Sequence, residues 1–79
     1  MATLDDAVRL IEAGDWQAAH TIVQKDSSQL ASWVHGIVHL MEGDRANAGY
    51  WYRRADRELP DDVEIATEIA ALKAEIARA

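Results

Sequence analysis

Cysteine and phenylalanine are absent from these 79 residues, and there is a single proline. Without cysteine there is neither a disulfide framework nor a thiolate zinc site. Without phenylalanine, bulk must come from Trp16, Trp33, Trp51, Tyr50, Tyr52 and the Leu/Ile/Val set, because fifteen of the apolar residues that make up 49% of the chain are alanine. A core built this way in one small domain, residues 1–79, is close to the minimum, and closing it on a partner chain would help. Positive charge is scarce too: eight Lys and Arg face fourteen Asp and Glu, for a net charge of -6. That excludes a nucleic-acid surface, whose phosphates need a basic face. No apolar run approaches the ~20 residues of a membrane span. The start, MATLDDAVRL, has no basic segment followed by an apolar stretch, so no signal peptide is expected and the expectation is a soluble cytoplasmic protein. The four glycines are isolated, which leaves no phosphate-cradling loop. Ser27 and Ser28 have no acid–histidine pair beside them to make a nucleophile. No cofactor is expected.

What is present reads as an all-α chain of about five short antiparallel helices, with no period-two alternation to suggest a sheet. Thr3 or Asp5 opens the first helix and Gly14 closes it. Asp15 caps the second. The third runs from Ser28 to about Met41, and the fourth from its cap, Asp44, to a stop at Pro60. Asp61 with Glu64 has the spacing of a capping box for the fifth, residues 61–79.

EAGDWQAA is echoed 29 residues later by MEGDRANA: a helix end, a Gly-Asp turn and a new helix, with Ala19 matched by Ala48. Units of this kind bury their faces by stacking. The second of them, residues 29–60, resembles a tetratricopeptide repeat, with Gly36, Gly43-Asp44, Ala48, Tyr52, Ala55 and Pro60 at that motif's spacings. AGYWYRRA also resembles the corresponding segment of Sel1-like repeats. A degenerate copy, residues 4–28, precedes it. Three departures stand out: His35 and His39 replace the usual Leu and Tyr, Ser32 occupies the place of the motif's Trp, and the period is short. The string W-x-H-x3-H-x2-E-G-D-x2-N-A-x-Y-W-Y-R-R-A further resembles a fingerprint of a group of small microbial proteins, a resemblance that brings no activity with it.

Chemistry concentrates between residues 33 and 57. At 100° per residue, His35, His39 and Glu42 fall within about 60° of one another on the third helix. Asp44 lies next to them, and Asn47, Trp51 and Arg54 form a stripe on the fourth. The tetratricopeptide resemblance implies that His35 and His39 face the fourth helix. Three readings are open. The first is an interhelical hydrogen-bond network, with Arg54 on Glu42 and the His nitrogens satisfied by Asn47 or backbone. The second is a polar pocket for a ligand or for acid–base chemistry, His near Glu being tunable to neutrality. The third is a metal site on His35, His39 and Glu42, whose i, i+4, i+7 spacing presents three ligands from one face. His20 stands alone on the second helix and reads as a surface or boundary residue.

The opposite side of the third helix, Trp33, Ile37, Leu40 and Met41, needs covering by another helix or a second chain. The functional expectation is a small interaction module that docks a protein or peptide on this face, with Arg53, Arg54 and Arg57 steering an acidic segment. The alternative is an enzyme or a ligand- or metal-binding protein built on the polar stripe. Ile65, Ile69, Leu72 and Ile76 form a seam that suits either capping of the stack or a homodimer.

Overall fold

The computed structural model describes residues 2–78. Among these, five helices and no strand are found: α1 (Leu4–Glu12), α2 (Trp16–Val23), α3 (Gln29–Glu42), α4 (Arg45–Arg54) and α5 (Ile65–Arg78). Thr3, not Asp5, caps α1: its hydroxyl accepts from Asp6 N–H while the Asp6 carboxylate accepts from Thr3 N–H. Ser28 caps α3 through the Ala31 amide.

The two Gly-Asp turns are copies of each other in detail. Gly14 and Gly43 both sit at positive φ, 84° and 89°, the left-handed conformation that glycine adopts without a Cβ clash. The next amides reach back to equivalent carbonyls, Asp15 to Leu10 at 2.9 Å and Asp44 to His39 at 2.8 Å. Asp15 and Asp44 then accept from Ala18 and Asn47 amides, each at 3.2 Å, and start α2 and α4. Ala19 and Ala48 are both fully buried behind these turns. The offset read in the sequence is therefore a repeated helix–turn–helix geometry.

α3 packs against each of the other four helices. Residues 31–39 are all buried, so over more than two turns this helix is enclosed by the others apart from a cleft at His39. On one side it meets α4 closely: a Cβ placed on Gly36 would lie 2.5 Å from Tyr52 Cδ1, inside contact distance. On another side α5 covers it. Glu68 accepts from Trp33 Nε1 at 3.3 Å and from the Tyr52 hydroxyl at 2.5 Å, which joins α3, α4 and α5 at one carboxylate. Leu72 is fully buried, and Ile65, Ile69 and Ile76 pack against the same core. Of the apolar seam of α5, Leu72 is thus buried within the chain while Ile65, Ile69 and Ile76 stay partly exposed, and Lys73 pairs with Glu12 of α1 at 2.8 Å.

Two boundaries differ from the sequence expectation. α4 ends at Arg54 and does not run on to Pro60. Asp56 takes a left-handed φ of 58°, and the Arg57 amide turns back to the Tyr52 carbonyl at 2.9 Å. For a non-glycine residue that conformation costs about 1–2 kcal/mol. The turn it makes places the Arg57 guanidinium 3.4 Å from the Trp33 ring centroid, a cation–π contact that offsets the strain. α5 begins at Ile65, so the expected Asp61–Glu64 capping box does not form. The Pro60 carbonyl is held by the Arg45 guanidinium, and the chain after it turns before the helix starts, with Glu64 O accepting the first helical bond from Glu68. No helix of the described residues is long and apolar enough to cross a membrane.

Candidate metal centre

The polar stripe of α3 lies between α2 and α4. His35 is only 4% exposed and stacks face to face on Trp51 of α4, centroids 3.7 Å apart and planes 9° apart. This is the orientation that the repeat resemblance implied for His35. The other edge of the stripe meets α2. His20 points at it, with ring centroids 4.7 Å from His35 and 5.5 Å from His39, while His35 and His39 lie 5.1 Å apart. One ligand nitrogen from each of the three rings falls within 4.8 Å of the others. His20 is thus a half-buried boundary residue, but it does not stand alone: it completes the cluster. Its position was readable: Trp16, His20 and Val23 are spaced i, i+4, i+7, a single stripe along α2, and Val23 is core.

The second-layer contacts order the cluster. Glu42 Oε1 lies 2.9 Å from His39 Nδ1. A carboxylate only accepts, so Nδ1 carries a proton, and in the neutral ring Nε2 has the lone pair. Asn47 donates its side-chain amide to Asp44 Oδ2 at 3.2 Å, and its backbone N–H to Oδ1. Burial first, and then the neighbouring His20 and His39, push the His35 imidazole down to about 4, so it is neutral at physiological pH. Among the described residues no protein group hydrogen-bonds the ring nitrogens of His20 or His35. Among the described residues no buried polar side-chain atom lacks a partner, so these nitrogens keep access to water. Above the cluster is a cleft of about 400 Å³ lined by Trp16, Gln17, His20, His39, Glu42, Asp44 and Asn47.

Arg54 does not belong to this site in the expected way. It donates to the Tyr50 hydroxyl at 3.1 Å and lies 5.3 Å from the Trp51 ring centroid, and Glu42 is taken by His39. Nor does Asn47 bond a histidine, since its amide serves Asp44. The expected network of Arg54 on Glu42 with Asn47 on the histidines is thus replaced by a His–His–His cluster with one carboxylate behind it.

The expected docking face is also altered. Trp33 and Ile37 are 1% and 0% exposed beneath the chain's own α5 and the Arg57 turn, because α5 supplies the cover that the sequence left open to a partner. Leu40 and Met41 are half-buried against the same core. Arg53, Arg54 and Arg57 remain exposed, and with Arg45 they form no ion pair among the described residues.

Comparison of the chain with protein-family models, with curated proteins and with solved structures found no match.

Proposed function

We propose that this chain binds a divalent transition-metal ion of the zinc class through His20, His35 and His39, with Glu42 orienting His39. The observation that carries the reading is the convergence of three histidines from two helices, ligand nitrogens within 4.8 Å, on a spot where two of the rings have no protein hydrogen bond. Neutral imidazole is a common zinc ligand at about 2.0–2.1 Å, so closing on an ion draws the three nitrogens inward by roughly 1 Å. The Glu42–His39 pair is the carboxylate–histidine arrangement that fixes tautomer and ring direction in metal sites. A chain of net charge -6 also attracts cations. In this reading the Gly-Asp hairpins are a tetratricopeptide-like scaffold whose groove has become a metal centre.

A calorimetric Zn²⁺ titration of tag-free protein tests the proposal. One equivalent is expected to bind, His20→Ala should abolish binding, and Glu42→Gln should weaken it by about 10–100-fold. Binding that survives His20→Ala unchanged would refute the site.

A second reading, docking of an acidic protein segment, is favoured by the four arginines on and just after α4 that have no carboxylate partner among the described residues. It moves the interaction surface from the Trp33 face to Arg45, Arg53, Arg54 and Arg57. An acidic peptide should then bind with an affinity that falls steeply with salt and drops with Arg53→Ala/Arg54→Ala.

A further inference from the structure

α4 is the least covered helix of the fold. Among the described residues it packs against α3 alone, whereas every other helix meets at least two neighbours. Ala48 and Tyr52 are buried on its inner side, and Ala46, Tyr50, Arg53 and Arg54 are exposed. Tyr50, at 44%, is the one exposed large apolar side chain among the described residues. Arg54 donates to its hydroxyl. Arg53 lies along the helix surface, with a guanidinium nitrogen 3.6 Å from where a Cβ on Gly49 would be. Tyrosine and arginine are the side chains that most often carry binding energy at protein interfaces. Neither arginine has a carboxylate partner among the described residues.

The complement to this surface lies beside it on the same molecule. After the turn at Asp56 the chain comes back past α4, and the Arg45 guanidinium at the start of that helix holds the Pro60 carbonyl. Asp61 and Asp62 follow in an exposed turn. Glu58 and Glu64 flank them, also exposed, and none of the four acids forms an ion pair among the described residues. Leu59 and Val63 in the same segment stay half-buried, so it offers apolar area between its acids. The face therefore has an aromatic and basic half on α4 and an aliphatic and acidic half on residues 58–64. The two halves lie side by side and do not pair with each other.

A two-fold axis between two adjacent complementary halves exchanges them, so each half of one copy meets the other half of the second. Resting on the acidic-docking reading above, we infer that the acidic segment this face receives is residues 58–64 of a second copy of the chain. Arg53 and Arg54 of each protomer then meet Asp61 and Asp62 of its partner, and Tyr50 packs on the partner's apolar side chains. The contact is made twice, which a single acidic peptide cannot do. Exposed ion pairs are individually weak and are screened by salt, so the pair of chains separates as ionic strength rises.

The test is sedimentation of tag-free, metal-free protein over micromolar to millimolar concentrations. At about 0.01 M salt, where the Debye length is about 30 Å, the mass should double with concentration. At about 1 M salt the dissociation constant should rise by at least roughly tenfold. Arg53→Glu/Arg54→Glu and Asp61→Lys/Asp62→Lys should each be monomeric, with circular dichroism confirming that both variants are folded. Mixed in equal amounts they should associate again. In that mixed pair the new Glu meets the new Lys at one contact, and native Asp meets native Arg at the other. A wild-type chain that stays monomeric overturns the inference, and so does a dimer that neither charge reversal disturbs. Two folded variants that remain monomeric when mixed overturn the pairing of these residues. A poly-glutamate peptide separates this failure from that of the docking reading. Monomeric protein that binds it through Arg53 and Arg54 keeps the docking reading and loses the dimer, and monomeric protein that does not bind it loses both.

Discussion

At the scale of single residues, His35 and Gly36 show how α3 is constrained from opposite directions. His35 is neutral because it is buried, and this has a consequence for stability. The unfolded imidazole takes up a proton near pH 6.5, the folded one only near 4. Between those values the unfolded state binds more protons, so stability present in full above pH 6.5 is lost as the pH falls towards 4. The loss should be of order 2–3 kcal/mol, a large share of a small domain's stability. Denaturant melts of metal-free protein at steps between pH 4 and 7 should show that slope, and His35→Gln should flatten it. Gly36 is fixed by contact rather than by charge. Adding a methyl there meets the ring of Tyr52, which is buried and tethered to Glu68, so the ring cannot swing away. Overpacking of about 1–3 kcal/mol exceeds the roughly 1 kcal/mol that alanine gains in helix propensity. Gly36→Ala should therefore lower the unfolding midpoint, as read by circular dichroism.

At the scale of elements, what could be read from the sequence divides by range. Caps at Thr3, Asp15, Ser28 and Asp44 and the glycine turns at 14 and 43 are local chemistry, with each signal within three residues of its effect. The repeat offset was visible for the same reason. The end of α4 was not, because no glycine marks it: the left-handed turn at Asp56 brings the Arg57 guanidinium onto Trp33, which lies far back in the chain. The start of α5 was misplaced because Asp61 and Glu64 have the right spacing, but Pro60 is already tied to Arg45. Of the candidate site, His35, His39, Glu42 and Trp51 were legible on two helix faces, and His20 was missed because its partners are on another helix. The role of α5 as the cover of Trp33 gives an element-scale prediction. Glu68→Ala leaves the Trp33 indole N–H and the Tyr52 hydroxyl without their acceptor, at about 1–3 kcal/mol for each buried donor. Chemical denaturation should show a loss of roughly 2–4 kcal/mol, and Trp33 fluorescence should shift to the red as α5 loosens.

At the scale of the molecule, the fold is a central helix wrapped by four others, with the histidine cluster on an edge of α3 that α2 and α4 leave partly open. Each of the two Gly-Asp hairpins contributes to that edge: α2 of the first brings His20, and α3 of the second brings His35 and His39. An ion bound there would fasten one hairpin to the other. Since binding to the folded state adds to stability in proportion to the logarithm of ligand excess, loading should also raise the melting temperature.

The most direct measurement is anomalous diffraction at the zinc edge from crystals grown with one equivalent of Zn²⁺. The metal-centre account predicts a single peak at about 2.0–2.1 Å from one ring nitrogen each of His20, His35 and His39. A peak elsewhere, or none at that position with zinc in excess, would contradict it.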